Sequence, residues 1–259
     1  MPLYNTKPVF LILIPLLMLH RNSNSSFKFP NAFGPYRNDI ITYQGDAVES
    51  NGTIQLTNIE NDTNMPYSAG RASYILPIRL WDPKIGLANF TTTFSFLVTS
   101  NEQSPGVGVS FFIAPYHSKI SESSSDGYLG LVSPETVFNT FQNQIVAVEF
   151  DTFQNELDHT VAHVGIYVNS SSSVTMVKWG IDNVVNFLTP VVATVSYEAL
   201  SHQLNVDLSS LNGTKISLSH EIDLREVLPD GVSVGFSGVT GRMVETLEIL
   251  SWTFSSNLY

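Results

Sequence analysis

Cysteine is absent from this 259-residue chain, so no disulfide can staple it and its core must hold the fold alone. Basic residues are scarce: 12 Lys and Arg stand against 23 Asp and Glu, a formal net charge of −11. With no basic run to follow a phosphate backbone, nucleic acid is excluded as a partner class and an anionic membrane surface is disfavoured. The acidic surplus reads as a solvated surface that keeps the protein soluble. No segment sustains a 3.6-residue period over three turns, which excludes a helical architecture. Two glycine motifs also lack their proper setting. Gly231-Val-Ser-Val-Gly235 matches a nucleophile elbow but continues as alternating strand into Phe236. Gly106-Val107-Gly108 is too short and wrongly flanked for a dinucleotide loop.

What is present begins with Val9 to Leu19, an apolar run behind Lys7 that is too short to span a bilayer comfortably and suits a signal-peptide core. Ser23 and Ser25 occupy the −3 and −1 positions of a cleavage before Ser26, so residues 1–25 are expected to be a signal peptide and residues 26–259 the mature domain. No later stretch is long and apolar enough to span. The chain is therefore expected in the secretory pathway, extracellular or vacuolar. Sequons at Asn51, Asn61, Asn89, Asn169 and Asn212 fit that route.

The mature length suits one large all-β domain, with enough core to do without staples. Short alternating segments recur from end to end: Thr93–Val98, Val174–Trp179, Val192–Tyr197, Gln203–Leu208, Val232–Phe236 and Leu247–Phe254. They are rich in β-branched and aromatic residues and are broken by Gly, Pro, Asn, Asp or Ser. Ser219 to Val227 is the one stretch expected to hold a short helical turn. The pattern reads as a single β-sandwich.

The chemistry concentrates between Glu149 and His163. In an extended strand Glu149 and Asp151 share a face, while Val146, Val148 and Phe150 point the other way into a core. Two adjacent carboxylates repel unless a proton or cation lies between them. His163 opens a second alternating run, His163–Val168, expected to be the antiparallel partner strand. The polar excursion between the strands brings Asn155, Asp158 and the Phe153 carbonyl back over the strand ends. These spacings suit two metal ions sharing a ligand.

Taken in order, these segments resemble the legume lectin family, from Phe27 to the C-terminus. Phe33-Gly-Pro, Tyr43-Gln-Gly-Asp46, Gly70-Arg-Ala-Ser-Tyr74, Trp81-Asp82, Phe111-Phe-Ile-Ala-Pro115, Gly127-Tyr-Leu-Gly-Leu131 and Leu250-Ser-Trp-Thr-Phe254 carry the likeness. Val146-Ala-Val-Glu-Phe-Asp-Thr152 is the most specific. The resemblance implies a jelly-roll β-sandwich with a flat back sheet, a curved front sheet and loops that carry metals and sugar. It assigns Glu149, Asp151, Asp158 and His163 to a transition-metal site, usually Mn2+, and Asp151, the Phe153 carbonyl, Asn155 and Asp158 to a Ca2+ site. The donor chemistry agrees, since imidazole suits a borderline transition metal and an all-oxygen set suits calcium. Two positions depart from the family pattern: His159 stands where a proline is common, and Tyr167 where an aspartate is usual.

For sugar, the resemblance implies the Gly127 amide, the Phe153 ring and the calcium-bound Asn155. Loop length further implies the Arg242 and Met243 amides and a mannose/glucose preference. The family's sugar-binding aspartate is replaced by Val107. The implied protein is a secreted, non-enzymatic lectin for glycans or glycoproteins, with weakened monosaccharide affinity, pairing as a homodimer or tetramer through its back sheet. The alternative is a lectin-like storage or defence protein that keeps the fold without ordinary sugar binding. A glycoside hydrolase is disfavoured because the same-face positions after Asp151 are Phe153 and Asn155, while Glu156 has the wrong parity for a second catalytic carboxylate.

Overall fold

Alternating apolar and polar side chains along a strand give it one buried and one open face, and strands of this kind stack into layers. A computed structural model describes residues 24–29, 40–60, 63–99, 108–137, 139, 142–151, 163–178, 189–210, 213–242 and 244–258. In chain order the first strands are β1 (Asn24–Phe29), β2 (Ile41–Gly45), β3 (Val48–Ser50), β4 (Thr53–Gln55), β5 (Ile59–Glu60), β6 (Thr63–Asn64) and β7 (Ala69–Tyr74). Next come β8 (Ile78–Arg79), β9 (Trp81–Asp82), β10 (Gly86–Thr99), β11 (Gly108–Pro115), β12 (Val146–Asp151) and β13 (His163–Val168). The last are β14 (Ser173–Lys178), β15 (Val191–Glu198), β16 (Gln203–Ser210), β17 (Lys215–Glu221), β18 (Gly231–Val239) and β19 (Thr246–Leu258).

They form two large sheets. The back sheet runs β17-β16-β15-β10-β19-β4-β3, with β1 on β19 and β9 on β10. The front sheet runs β14-β13-β12-β11-β18-β7-β2, with β8 on β18, and β5 and β6 make a small separate ribbon. The architecture is the expected jelly-roll sandwich. The alternating segments read from the sequence lie in β10, β14, β15, β16, β18 and β19, except Trp179, which falls outside the described residues. Gly231 to Gly235 sits inside β18 with no following helix.

The main core fills the space between the sheets. Phe94, Phe96, Phe111, Phe150, Phe236 and Trp252 are buried there. Phe94 meets Phe236 edge-on at 4.9 Å and Phe236 meets Trp252 edge-on at 4.7 Å, separations typical of favourable aromatic pairs. The indole N–H of Trp252 donates to Thr92 Oγ1 at 2.9 Å, which satisfies a polar group that burial would otherwise penalise.

A second apolar layer covers the other face of the front sheet. Phe112, Leu129, Leu131, Ile145, Ala147, Tyr167 and Val239 are buried together there. Strand β11 therefore lies between two apolar layers, and Val109 to Ala114 are all buried. This explains why its sequence reads as a nearly continuous apolar run rather than an alternation.

The stretch Ser219 to Val227 holds the expected short helical turn, but only in its second half. Ser219, His220 and Glu221 belong to β17, paired with Asn205, Leu204 and Gln203. Only Leu224–Glu226 forms a 3-10 turn, whose Asp223 cap accepts from the Arg225 N–H. Pairing with β16 outweighs the weak local preference for helix. A second 3-10 turn, Asp126–Tyr128, has no counterpart in the sequence reading.

Candidate functional site

The strand-pair geometry is as read. β12 and β13 are antiparallel, with Asp151 opposite His163 and Glu149 opposite Gly165. Val146, Val148 and Phe150 enter the main core. On the opposite face Glu149, Asp151 and His163 are 1%, 0% and 0% exposed. His163 Nδ1 lies 3.3 Å from Asp151 Oδ2, and its Nε2 lies 3.1 Å from the Tyr167 hydroxyl.

Of the expected transition-metal set, then, Asp151 and His163 come together, with Glu149 one same-face position along β12. Among the described residues no group of three or more His, Asp or Glu side chains converges on one point. Phe153, Asn155 and Asp158 lie outside the described residues, as do Val107 and Met243. The donor chemistry still fits a divalent ion. Two carboxylates and an imidazole buried on one face call for compensating positive charge, and a mixed oxygen–nitrogen set suits a borderline metal.

The neighbouring loops start and end at the same edge of the front sheet. Gly108, which directly follows Val107, opens β11 between Asp151 on one side and Val239 on the other. Its φ is +122°, and a Cβ there would lie 2.4 Å from the Phe150 carbonyl oxygen. Only glycine fits that position. Gly127 is buried in the 3-10 turn Asp126–Tyr128. The turn is tied to the end of β18, because the Asp126 N–H donates to the Thr240 carbonyl at 3.3 Å. Arg242 follows two residues beyond Thr240 with its side chain exposed. The structure thus gathers Gly127, Arg242, Asp151 and His163 at one end of the front sheet.

Several supporting residues escaped the sequence reading. Arg71 is 2% exposed; its two terminal nitrogens donate to the Lys119 carbonyl at 3.0 Å and to Ser118 Oγ at 3.1 Å. Its guanidinium carbon sits 4.1 Å from the centre of the Phe112 ring. Burial lowers its pKa to about 10. The Gln44 amide holds the same loop, donating to the Ser118 carbonyl at 3.2 Å and accepting from the Ile120 N–H at 2.7 Å. Asp46 Oδ2 accepts from the Ser68 hydroxyl at 2.7 Å and the Ala69 N–H at 3.1 Å. Ser68 in turn donates its N–H to Thr240 Oγ1 at 2.9 Å. These bonds pin the base of the loop that carries Arg242. The only sequence signal was that Tyr43–Asp46 and Gly70–Tyr74 carried the family likeness without an assigned role.

The chain belongs to the legume lectin family: the family's domain description, "Legume lectin domain", matches residues 24–259. Lectin 7 of Medicago truncatula is 44% identical over 266 residues, covering 97% of each chain. Among solved structures, metal-free lectin I-B4 from Griffonia simplicifolia superposes with a TM-score of 0.85 at 39% identity, covering 90% of this chain and all of that one. The lectin from Bauhinia forficata in complex with GalNAc gives 0.82 at 37% identity, with 91% and 99% coverage. Arcelin-5, a lectin-like defence protein from Phaseolus vulgaris, gives 0.79 at 27% identity, with 92% and 100% coverage. Legume lectins bind glycans rather than catalyse, generally bind metal ions, and are in general secreted or vacuolar plant proteins. Among the described residues no helix is long and apolar enough to cross a membrane.

Proposed function

We propose that this chain is a secreted glycan-binding lectin whose sugar loops are organised by Ca2+ and Mn2+. The observation that carries the reading is the buried Asp151–His163 pair beside Gly108, at the end of the sheet where the turn holding Gly127 is tied to Thr240. Glu149, Asp151, Asp158 and His163 would hold Mn2+, and Asp151, the Phe153 carbonyl, Asn155 and Asp158 would hold Ca2+. The ions supply fixed positive charge, so their role is preorganisation of Asn155 and Phe153 rather than chemistry. The Gly127 amide and Asn155 then serve as hydrogen-bonding groups, the Phe153 ring packs on the sugar, and the Arg242 and Met243 amides line the rim.

Residues 1–25 act as the signal peptide in this reading, and the mature chain pairs through its back sheet. The chain's own N-x-S/T sequons support N-glycosylation; Asn51 is exposed in the tight turn between β3 and β4. Two sugar classes compete. Loop length favours mannose/glucose, whereas the GalNAc complex of the Bauhinia forficata lectin favours a galactose-type ligand. The second functional reading, a defence or storage protein without ordinary sugar binding, draws support from the likeness to arcelin-5 and from Val107 at the aspartate position. A glycan array run with and without calcium tests all of these. Calcium-dependent binding to mannose- or galactose-terminated glycans supports the lectin and names its class, and a blank array with calcium present favours the defence reading.

A further inference from the structure

The start of β10 and the hairpin between β15 and β16 enclose a cavity of about 440 Å3, lined by Ile85, Leu87, Asn89, Leu200, His202 and Arg225. Its size falls within the range of small-ligand clefts. Leu200 is 94% exposed and Ile85 50% exposed, and because they line the same cavity they make one apolar patch rather than two scattered side chains. The rim is polar: Arg225 Nη2 is held by Asp223 Oδ2 at 2.5 Å, and His202 Nε2 lies 3.9 Å from the same oxygen. Asn89 stands in the wall, and Asn89-Phe90-Thr91 is a sequon. Asn89 and Thr91 share the solvent face of β10, opposite the buried Ala88, Phe90 and Thr92. The Ala199 N–H donates to Asn89 Oδ1 at 2.7 Å. A backbone donor can meet only the oxygen of a side-chain amide, so this bond fixes which way the amide faces. Nδ2 makes no hydrogen bond among the described residues.

We propose that Asn89 carries an N-linked glycan whose first N-acetylglucosamine sits in this cavity and covers Leu200 and Ile85. The inference rests on the secretory reading and adds which sequon is built into the fold and where its sugar lies. In the transfer, Asn89 Nδ2 attacks C1 of the terminal sugar of a lipid-linked diphosphate oligosaccharide. The C1–N bond forms, the C1–O bond to the diphosphate breaks, Nδ2 gives up one proton and the lipid diphosphate leaves. The linked amide keeps Oδ1 and one N–H, so the bond from Ala199 survives and holds the linkage against the hairpin that carries Leu200. The C–H face of a sugar ring matches Leu200 and Ile85, and its hydroxyl and acetamide oxygens match the donors of His202 and Arg225. The cavity lies away from the candidate sugar face. The Ala88 N–H donates to the Leu80 carbonyl and the Leu80 N–H to the Asp230 carbonyl, both at 2.8 Å, at the start of β18. The turn holding Gly127 is tied beyond the other end of that strand, at Thr240. The glycan at Asn89 is thus a cover for the fold and not a ligand of the binding loops.

The test uses the full chain secreted from a eukaryotic host, as wild type and as Thr91→Ala, which removes the sequon but keeps Asn89 and its bond to Ala199. Glycopeptide mass spectrometry reads occupancy. Hydrogen exchange from Ala199 to His202 and the fluorescence of an apolar dye read the cover, with wild type stripped by a peptide N-glycosidase as a second bare form. The expected result is an occupied Asn89 in wild type, with hairpin exchange about tenfold faster and dye fluorescence higher in both bare forms. Leu200→Ser, which keeps the sequon, should remove most of the dye difference between its glycosylated and stripped forms. An occupied Asn89 whose removal changes neither exchange nor dye binding overturns the seat. An empty Asn89 beside other occupied sequons overturns this inference and leaves the secretory reading standing. No sequon occupied, in a host that glycosylates, overturns both.

Discussion

At the scale of single residues, Val107 sets the sharpest expectation. A carboxylate accepting from sugar hydroxyls contributes roughly 1.5–3 kcal/mol per bond, whereas a millimolar monosaccharide complex is worth only about 4 kcal/mol in total. Valine supplies none of that, so the wild-type chain should bind simple sugars weakly or not at all. Val107→Asp should raise the affinity at least tenfold by calorimetry, with Asn155→Ala as the inactive control. Sub-millimolar binding by wild type that Val107→Asp leaves unchanged would reject this reading. The sequence made Glu149, Asp151 and His163 legible because period-two alternation fixes which side chains share a strand face. It left Arg71 hidden, because the partners of Arg71 on the 118–119 stretch are 47 and 48 residues away and no local pattern announces such a contact.

At the scale of elements, the segment from Tyr116 to Val132 stays against the front sheet through a few polar ties and an apolar floor. Arg71 and Gln44 hold its first half, and the Ser237 hydroxyl donates to the Leu129 carbonyl in its second. Arg71→Ala removes two hydrogen bonds and the contact with Phe112, and should cost about 2–4 kcal/mol in chemical unfolding. Sugar binding should weaken as well, because the same segment carries Gly127. The 3-10 turn Leu224–Glu226 gives a pH expectation. The hydrogen bond from Arg225 holds the Asp223 carboxyl below its usual range. Its stabilisation is therefore complete above the unfolded carboxylate value of about 3.9 and fades as pH falls through the lower folded value. Asp223→Asn should lower Tm at neutral pH, and the gap from wild type should shrink in strong acid. That turn was only partly legible in the sequence, since Ser219 to Glu221 look equally acceptable as helix until β16 pairs with them.

At the scale of the whole molecule, the strand order was legible only through the family likeness. Alternation predicts strands but says nothing about which will be neighbours, and β1 joining β19 across almost the full chain illustrates the gap. The consequence of the proposed metals is global. Stripping both ions leaves Glu149 and Asp151 buried side by side, so chelation at mildly acidic pH should lower Tm, and calcium plus manganese should restore it. Metal analysis that finds neither ion in carefully purified protein would remove the basis for that expectation.

The two apolar layers also set the order in which parts of the molecule let go. The layer between the sheets is built from long, mutually paired strands, while the smaller layer depends on one crossing segment and a few side-chain ties. Local opening follows the weakest packing. Amide hydrogens in β10 and β19 should therefore exchange only with global unfolding, while those from Tyr116 to Val132 exchange through a cheaper opening. A protease acting under mild heat should nick that segment first and leave a two-part chain whose sandwich is intact and whose binding face is gone.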